Sequence, residues 1–265
     1  MSTQLIYQID AFTDTVFGGN PAAVCPLDSW LDEGLMQTVA AENNLSETAF
    51  FAPAEGAGEG VFDLRWFTPR AEVDLCGHAT LASAYLILSR LLPDRNDVSF
   101  ETKSGRLEVS RDGDRLVLDF PARPAAPFPV PDGFADAIGA EPSEFLCAMK
   151  NMAVYEDVET VRNMTPDLGY IVGLGRDGLI ITAPGDDCDF VSRYFAPHVG
   201  IDEDPVTGSA HCTLIPYWAE RLGKTSLHAR QISERGGELF CELSGDRARM
   251  AGQAVLYMEG SIILP

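Results

Sequence analysis

The strongest constraint on this chain is that it repeats itself. Arg65-Trp66-Phe67-Thr68-Pro69, then Asp74, then Gly77-His78-Ala79-Thr80-Leu81-Ala82 recur as Arg193-Tyr194-Phe195-Ala196-Pro197, Asp202 and Gly208-Ser209-Ala210-His211-Cys212-Thr213. The arginines and the aspartates are offset by 128 residues and the glycines by 131, close to half of the 265. Each copy reads as a strand stopped by proline, an acidic loop, a glycine and an apolar helix. A chain built this way is expected to fold as a duplicated α+β unit with two equivalent helix starts.

Those helix starts matter because of the charge. Forty acidic residues stand against nineteen basic ones, a net charge of −21, and the only lysines are Lys103, Lys150 and Lys224. No basic tract exists, which argues against a nucleic-acid partner. The same charge repels an anionic metabolite at long range. A helix N-terminus carries unpaired N–H groups and about half a positive charge. Two of them facing one cleft would make an anion site without a lysine.

No apolar run approaches the ~18 residues of a membrane span. Residues 1–10 show neither a basic n-region nor a long apolar h-region, so no secretory signal is expected. Six cysteines, at 25, 76, 147, 188, 212 and 241, form no CxxC pair. Together these features lead us to expect reduced thiols in a cytoplasmic protein, with no zinc knuckle or disulfide frame.

Residues 5–12 alternate as a strand does, Gly18-Gly19-Asn20-Pro21 reads as a turn, and residues 22–25 read as a second strand. Helical spacing over 31–43 leads into the polar turn Asn44-Leu45-Ser46 and a strand through Phe51. A strand over 61–68, a buried helix over 77–92 and two or three strands over 98–120 follow. The proline-rich stretch 122–131 is the best linker, dividing the chain into domains 1–122 and 123–265.

Four places carry candidate chemistry. Glu47 stands at the mouth of an apolar strand, where desolvation suits a carboxylate to proton transfer. His78 follows Gly77 at a helix start, a position that favours neutral imidazole. Asp204-Pro205-Val206-Thr207-Gly208-Ser209 combines an acid, a turn and a helix start. Cys76 precedes Gly77, where the helix dipole acidifies a thiol. Taken singly, each has a structural explanation. Glu47 fits a loop glutamate, His78 a satisfied polar residue, Asp204 a turn former, Ser209 a helix cap and Cys76 a small buried hydrophobe. Asp74 and Asp202 read as turn or cap residues. Gly173-Leu174-Gly175-Arg176-Asp177-Gly178 matches a dinucleotide fingerprint but precedes a strand-like run, so it reads as a hairpin turn. Gly223-Lys224-Thr225 lacks the first glycine of a phosphate loop. His198, His211 and Cys212 lack metal-ligand spacing. Neither cofactor nor metal is expected.

Five motifs in order resemble the PhzF-like family, named for a phenazine-biosynthesis isomerase. They are Asp10-Ala11-Phe12, Phe17-Gly18-Gly19-Asn20-Pro21-Ala22-Ala23-Val24, Asn44-Leu45-Ser46-Glu47-Thr48-Ala49-Phe50, Cys76-Gly77-His78-Ala79-Thr80 and Asp204-Pro205-Val206-Thr207-Gly208-Ser209-Ala210. The resemblance implies a diaminopimelate-epimerase-like fold: two pseudo-symmetric α+β domains, each a curled, mostly antiparallel sheet around a central helix, with the site in the cleft between them. It allows the last strand, roughly 254–262, to cross back to the first domain. It further implies a homodimer that uses no cofactor and a substrate that is a small carboxylate-bearing metabolite.

By that resemblance Glu47, His78, Asp204 and Ser209 are the catalytic residues, Glu47 moving the proton. Gly77, Gly208 and Asn20 bind substrate, the two glycine amides holding its carboxylate. Related epimerases and racemases use two facing thiols; Cys76 matches the first position and Thr207 occupies the second, a poor general base. The leading expectation is thus a cofactor-independent isomerase. The alternatives are an amino-acid epimerase or dehydratase using Cys76, and a non-catalytic metabolite-binding protein.

Overall fold

The computed structural model describes all 265 residues. They fold into two units, Met1–Asp119 with Ala251–Pro265, and Phe120–Met250.

In the first unit, strands β1 (Ser2–Ala11), β2 (Asn20–Pro26), β3 (Glu47–Pro53) and β4 (Val61–Phe67) join through hydrogen-bonded ladders. β1 and β2 are antiparallel, β2 and β3 parallel, β3 and β4 antiparallel. The parallel step requires a crossover, which helix α1 (Glu33–Asn43) supplies. Asp32 caps α1 by accepting from Gly34 N at 2.9 Å, and left-handed Asn44 (φ 50°) ends it. The short β5 (Glu72–Val73) returns antiparallel to β4.

Helix α2 (Gly77–Leu86) follows, buried on all faces except at Tyr85. Its sequence, GHATLASAYL, shows why: small and apolar residues occupy every side, as a helix at the centre of a core requires. Its hydroxyls are satisfied internally, Thr80 Oγ1 donating to Cys76 O at 2.5 Å and Ser83 Oγ to Ala79 O at 2.7 Å. Strand β6 (Asp97–Thr102) then lies parallel to β4, and β7 (Gly105–Asp112) and β8 (Arg115–Pro121) add antiparallel.

The second unit repeats this plan. Strand β9 (Ala126–Pro127) lies on β10 (Glu144–Cys147), with the short helix α3 (Phe134–Ile138) between them in sequence. β10 is antiparallel to β11 (Asn151–Val154). Helices α4 (Val158–Asn163) and α5 (Leu168–Gly173) provide the crossover to β12 (Leu179–Pro184), which is parallel to β11. β13 (Phe190–Ala196) is antiparallel to β12, and β14 (Ile201–Asp204) returns on β13. Helix α6 (Gly208–Leu222) leads to β15 (Ser226–Gln231), parallel to β13, and β16 (Gly237–Ser244), antiparallel to β15. β17 (Arg247–Gly252) follows. The order antiparallel, parallel, antiparallel, parallel, antiparallel is therefore common to β1–β2–β3–β4–β6–β7 and β10–β11–β12–β13–β15–β16.

The repeated arginines play one role twice. Arg65 on β4 grips Glu72 of β5 through two bonds of 2.8 Å, and Arg193 on β13 grips Glu203 of β14 through bonds of 2.7 and 2.8 Å. These planar two-pronged pairs tie each return strand to its neighbour. The last strand, β18 (Ala254–Leu264), belongs to the first unit and runs antiparallel along β1 from Ala11↔Ala254 to Ser2↔Leu264. No helix is long and apolar enough to cross a membrane.

Three local expectations change. Asn20 and Pro21 are strand, not turn; the ladder of β2 on β1 begins at Asn20. The helix expected over 77–92 keeps its α form only to Leu86 and widens into a π-type turn at Ile87–Leu91. Residues 173–178 are not a hairpin. Gly175 (φ +69°), Arg176 (+58°) and Gly178 (+98°) turn the end of α5 into β12. The six-residue α5, capped by Asp167 accepting from Tyr170 N, is too short for periodicity to reveal it.

Candidate active site

The predicted residues fall in two groups, one in each unit. In the first unit, Glu47 is the first residue of β3, Asn20 the first of β2, and Gly77 and His78 open α2. Ala22 pairs with Glu47 in the parallel ladder, so the starts of β2 and β3 lie side by side. Cys76 is the residue before the helix, extended (φ −140°) and without a side-chain cap bond. The crossover topology thus gathers residues separated by up to 58 positions.

Their contacts orient the imidazole. Asn20 Nδ2 lies 3.1 Å from His78 Nδ1. An amide N–H donates, so Nδ1 accepts, and the ring proton sits on Nε2. Nε2 lies 3.3 Å from Glu47 Oε2. The Cys76 Sγ also faces Nδ1, at 3.5 Å. Burial drives His78 down to a pKa of about 3, because a charged imidazolium loses its hydration there. His78 is therefore neutral at physiological pH, and its Nε2 approaches the Glu47 carboxylate without closing a hydrogen bond on it.

Glu47, Cys76 and His78 also present donor atoms within 4.8 Å of one another. Such a mixed set suits a divalent cation. Both imidazole nitrogens already face protein partners, so a cation would have to displace one of them.

In the second unit, Asp204 ends β14, Thr207 precedes α6, and Gly208 and Ser209 are its first two residues. Ser209 is not a helix cap; it is half-buried one position inside. The loop is fixed by a partner that no local sequence pattern marks. Gln231, at the end of β15, accepts from Thr207 N at 2.9 Å and donates to Asp204 O at 2.7 Å and Thr207 Oγ1 at 3.1 Å. Thr207 Oγ1 in turn donates to Asp204 Oδ2 at 2.5 Å. Within its own unit Thr207 occupies the place Cys76 holds before α2, and its hydroxyl is committed to Asp204. Behind it, burial drives His211 to a pKa of about 4, with Nδ1 2.8 Å from Thr207 O. Asp74 and Asp202 are exposed, as turn residues would be.

Each unit thus offers a helix start with no side-chain cap bond and an acid beside it. Two α+β units of common topology form the diaminopimelate-epimerase-like fold, and curated relatives of the chain are isomerases. The model of the phenazine biosynthesis-like protein family matches residues 9–260. An uncharacterized isomerase of Pseudomonas aeruginosa is 49% identical over 259 residues, covering 98% of both chains. A crystal structure of a phenazine biosynthesis protein of the PhzF family from Enterococcus faecalis superposes with a TM-score of 0.94 at 43% identity, over 99% of this chain and 100% of that one. A predicted epimerase from Pseudomonas aeruginosa shares the fold, with a TM-score of 0.76 at 19% identity over 99% and 100%. The chain belongs to the phenazine biosynthesis-like family, and it is an enzyme of the isomerase class.

Proposed function

We propose that this chain moves a proton between carbons of a small carboxylate-bearing metabolite, with Glu47 as the acid and base and no cofactor. The observation that carries the reading is the 3.3 Å approach of a neutral, buried His78 Nε2 to Glu47 Oε2. Ionised Glu47 takes a proton from an activated carbon and, once protonated, returns it at a second carbon, while the neutral His78 beside it takes no part as a competing base. Asn20 keeps the imidazole proton on the side that faces Glu47. Asp204 and Ser209 are assigned to polar groups of the substrate, and the Gly77 and Gly208 amides to its carboxylate, for which helix-start N–H groups are suited.

The test is proton NMR of candidate amino acids and dihydroaromatic acids incubated with the protein in D2O. The native protein should incorporate deuterium at a carbon of its substrate. Glu47→Gln should reduce that exchange at least about 100-fold while the fold is kept. Undiminished exchange in the variant would sink the role. A binding protein without catalysis predicts tight ligand binding and no deuterium in either chain.

A second reading is favoured by one contact, the 3.5 Å between Cys76 Sγ and His78 Nδ1. It makes Cys76 the proton-transfer group of an epimerase or dehydratase. The absence of a second thiol at Thr207 weighs against it.

A further inference from the structure

One of the three lysines is buried. Lys150 sits in the turn between β10 and β11 and is 9% exposed. The turn is held from several sides. Ala148 N donates to Lys150 O at 3.0 Å, Asp177 N to Met149 O at 3.2 Å, and Arg176 Nη1 to Ala148 O at 2.7 Å. The ammonium lies 5.0 Å from the centre of the Tyr194 ring, a favourable place for a cation. That ring is itself fixed, its hydroxyl donating to Asp177 O. Tyr194 on β13 pairs directly opposite Asp204 on β14. Directly opposed residues of an antiparallel pair put their side chains on one face. Lys150 and Asp204 are therefore both neighbours of one tyrosine.

The electrostatics agree with this placement. Burial lowers the Lys150 pKa, while Asp177, Cys212 and Asp204 push it back up and Arg123 opposes them. These groups come from the α5–β12 turn, α6, β14 and the proline-rich segment, and the Tyr194 ring from β13. Arg193 and Glu203, the adjacent residues on the two strands, satisfy one another. The carboxylate form of Asp204 also sets the direction of the loop bonds. Gln231 Nε2 donates to Thr207 Oγ1, and that hydroxyl donates onward to Asp204 Oδ2.

We propose that Lys150 is a positioning residue that holds Asp204 as a carboxylate beside the Tyr194 ring, so that the loop before α6 keeps one hydrogen-bond direction. The inference rests on the assignment of Asp204 to substrate, but its test does not. Coupling between two ionisable groups is reciprocal, so it can be read in the free protein without turnover. With ¹³C-labelled aspartate, Lys150→Met should raise the Asp204 titration midpoint by about one pH unit, and Lys150→Arg should restore it. With labelled lysine, only three ammonium signals need assignment. Asp204→Asn should lower the Lys150 midpoint while leaving Lys103 and Lys224 unmoved. This second variant is nearly isosteric and keeps the test open if Lys150→Met does not fold. Unmoved midpoints in a folded variant, or no rescue by arginine, would overturn the inference. If Glu47→Gln leaves exchange intact while the midpoints move, the proposed reaction fails and the Lys150 role stands.

Discussion

Asn20 Nδ2 meets His78 Nδ1 at 3.1 Å, and that bond decides which imidazole nitrogen carries the proton. Without it, either tautomer of a neutral histidine is available, and only one presents N–H to Glu47. Asn20→Ala should therefore do two things. It leaves a buried acceptor without its donor, which costs about 1–3 kcal/mol of stability. It also mixes the tautomers. Proton–nitrogen correlation spectra of the imidazole should show a single Nε2–H form in the native protein and a mixture in the variant. A native spectrum dominated by Nδ1–H would contradict donation from Asn20 to the ring.

The two buried histidines tie stability to pH. His78 is lowered to about 3 and His211 to about 4 by burial, against 6.5 in the unfolded chain. Between those values and 6.5 the unfolded state binds protons that the folded state does not. The stabilisation is thus complete above pH 6.5 and is lost as pH falls toward 4 and then 3. Near pH 5 the slope should approach two protons, about 2.7 kcal/mol per pH unit. Most carboxylates are still ionised in both states there. Denaturant melts from pH 7 to 5 would measure it, and His211→Asn should halve the slope. Half the slope in the native protein would mean that one ring is hydrated in solution, and a flat profile that both are.

Much of this architecture is legible in the sequence, and the reason is the repeat. Arg65 and Arg193 mark equivalent strands, and Gly77 and Gly208 equivalent helix starts, because a duplicated core preserves the residues that pin its return strands. The acidic partners are less legible. The aspartates at the common 128-residue offset, Asp74 and Asp202, are exposed, and the arginines grip Glu72 and Glu203 instead. Spacing alone cannot separate a paired carboxylate from a solvated one that lies one or two positions away. Gln231 and Lys150 escape sequence reading entirely. One comes from the end of a strand and the other from a tight turn, and each reaches its partners through sheet order rather than chain order. Asn20 stands in a Gly-Gly-Asn-Pro run that carries every local sign of a turn, yet it opens β2, because the ladder with β1 begins there.

The arginine pairs make a prediction about acid stability. The Arg65 guanidinium, with help from Lys103, holds Glu72 down at about 2. The Glu72 side chain is 11% exposed, so little water screens the pair. Glu72→Gln leaves Arg65 with a neutral amide and the exposed Glu33, 2.7 Å from its Nη2, and should cost about 1–3 kcal/mol at neutral pH. The sign follows from the lowered pKa. The contribution is present above about 4.5, the unfolded value, and fades as pH falls toward 2. The native protein and Glu72→Gln should then differ fully at pH 6 and converge in strong acid. A penalty independent of pH would show that packing, not charge, is lost.

The thiol and the glutamate readings make opposite demands on Cys76. Its Sγ and the Asn20 amide both face His78 Nδ1, yet only Asn20 is needed to orient the ring. If Glu47 moves the proton, Cys76→Ser keeps a small polar group at the same place and exchange in D2O should fall less than about tenfold. If the thiolate is the base, serine is far too weakly acidic to replace it, and exchange should fall at least about 100-fold, the scale of a lost general base. Measuring Cys76→Ser beside Glu47→Gln separates the cases, because one variant should be nearly silent whichever mechanism operates. Large losses in both would mean a reaction that uses two bases on one substrate, with His78 between them as a fixed neutral spacer.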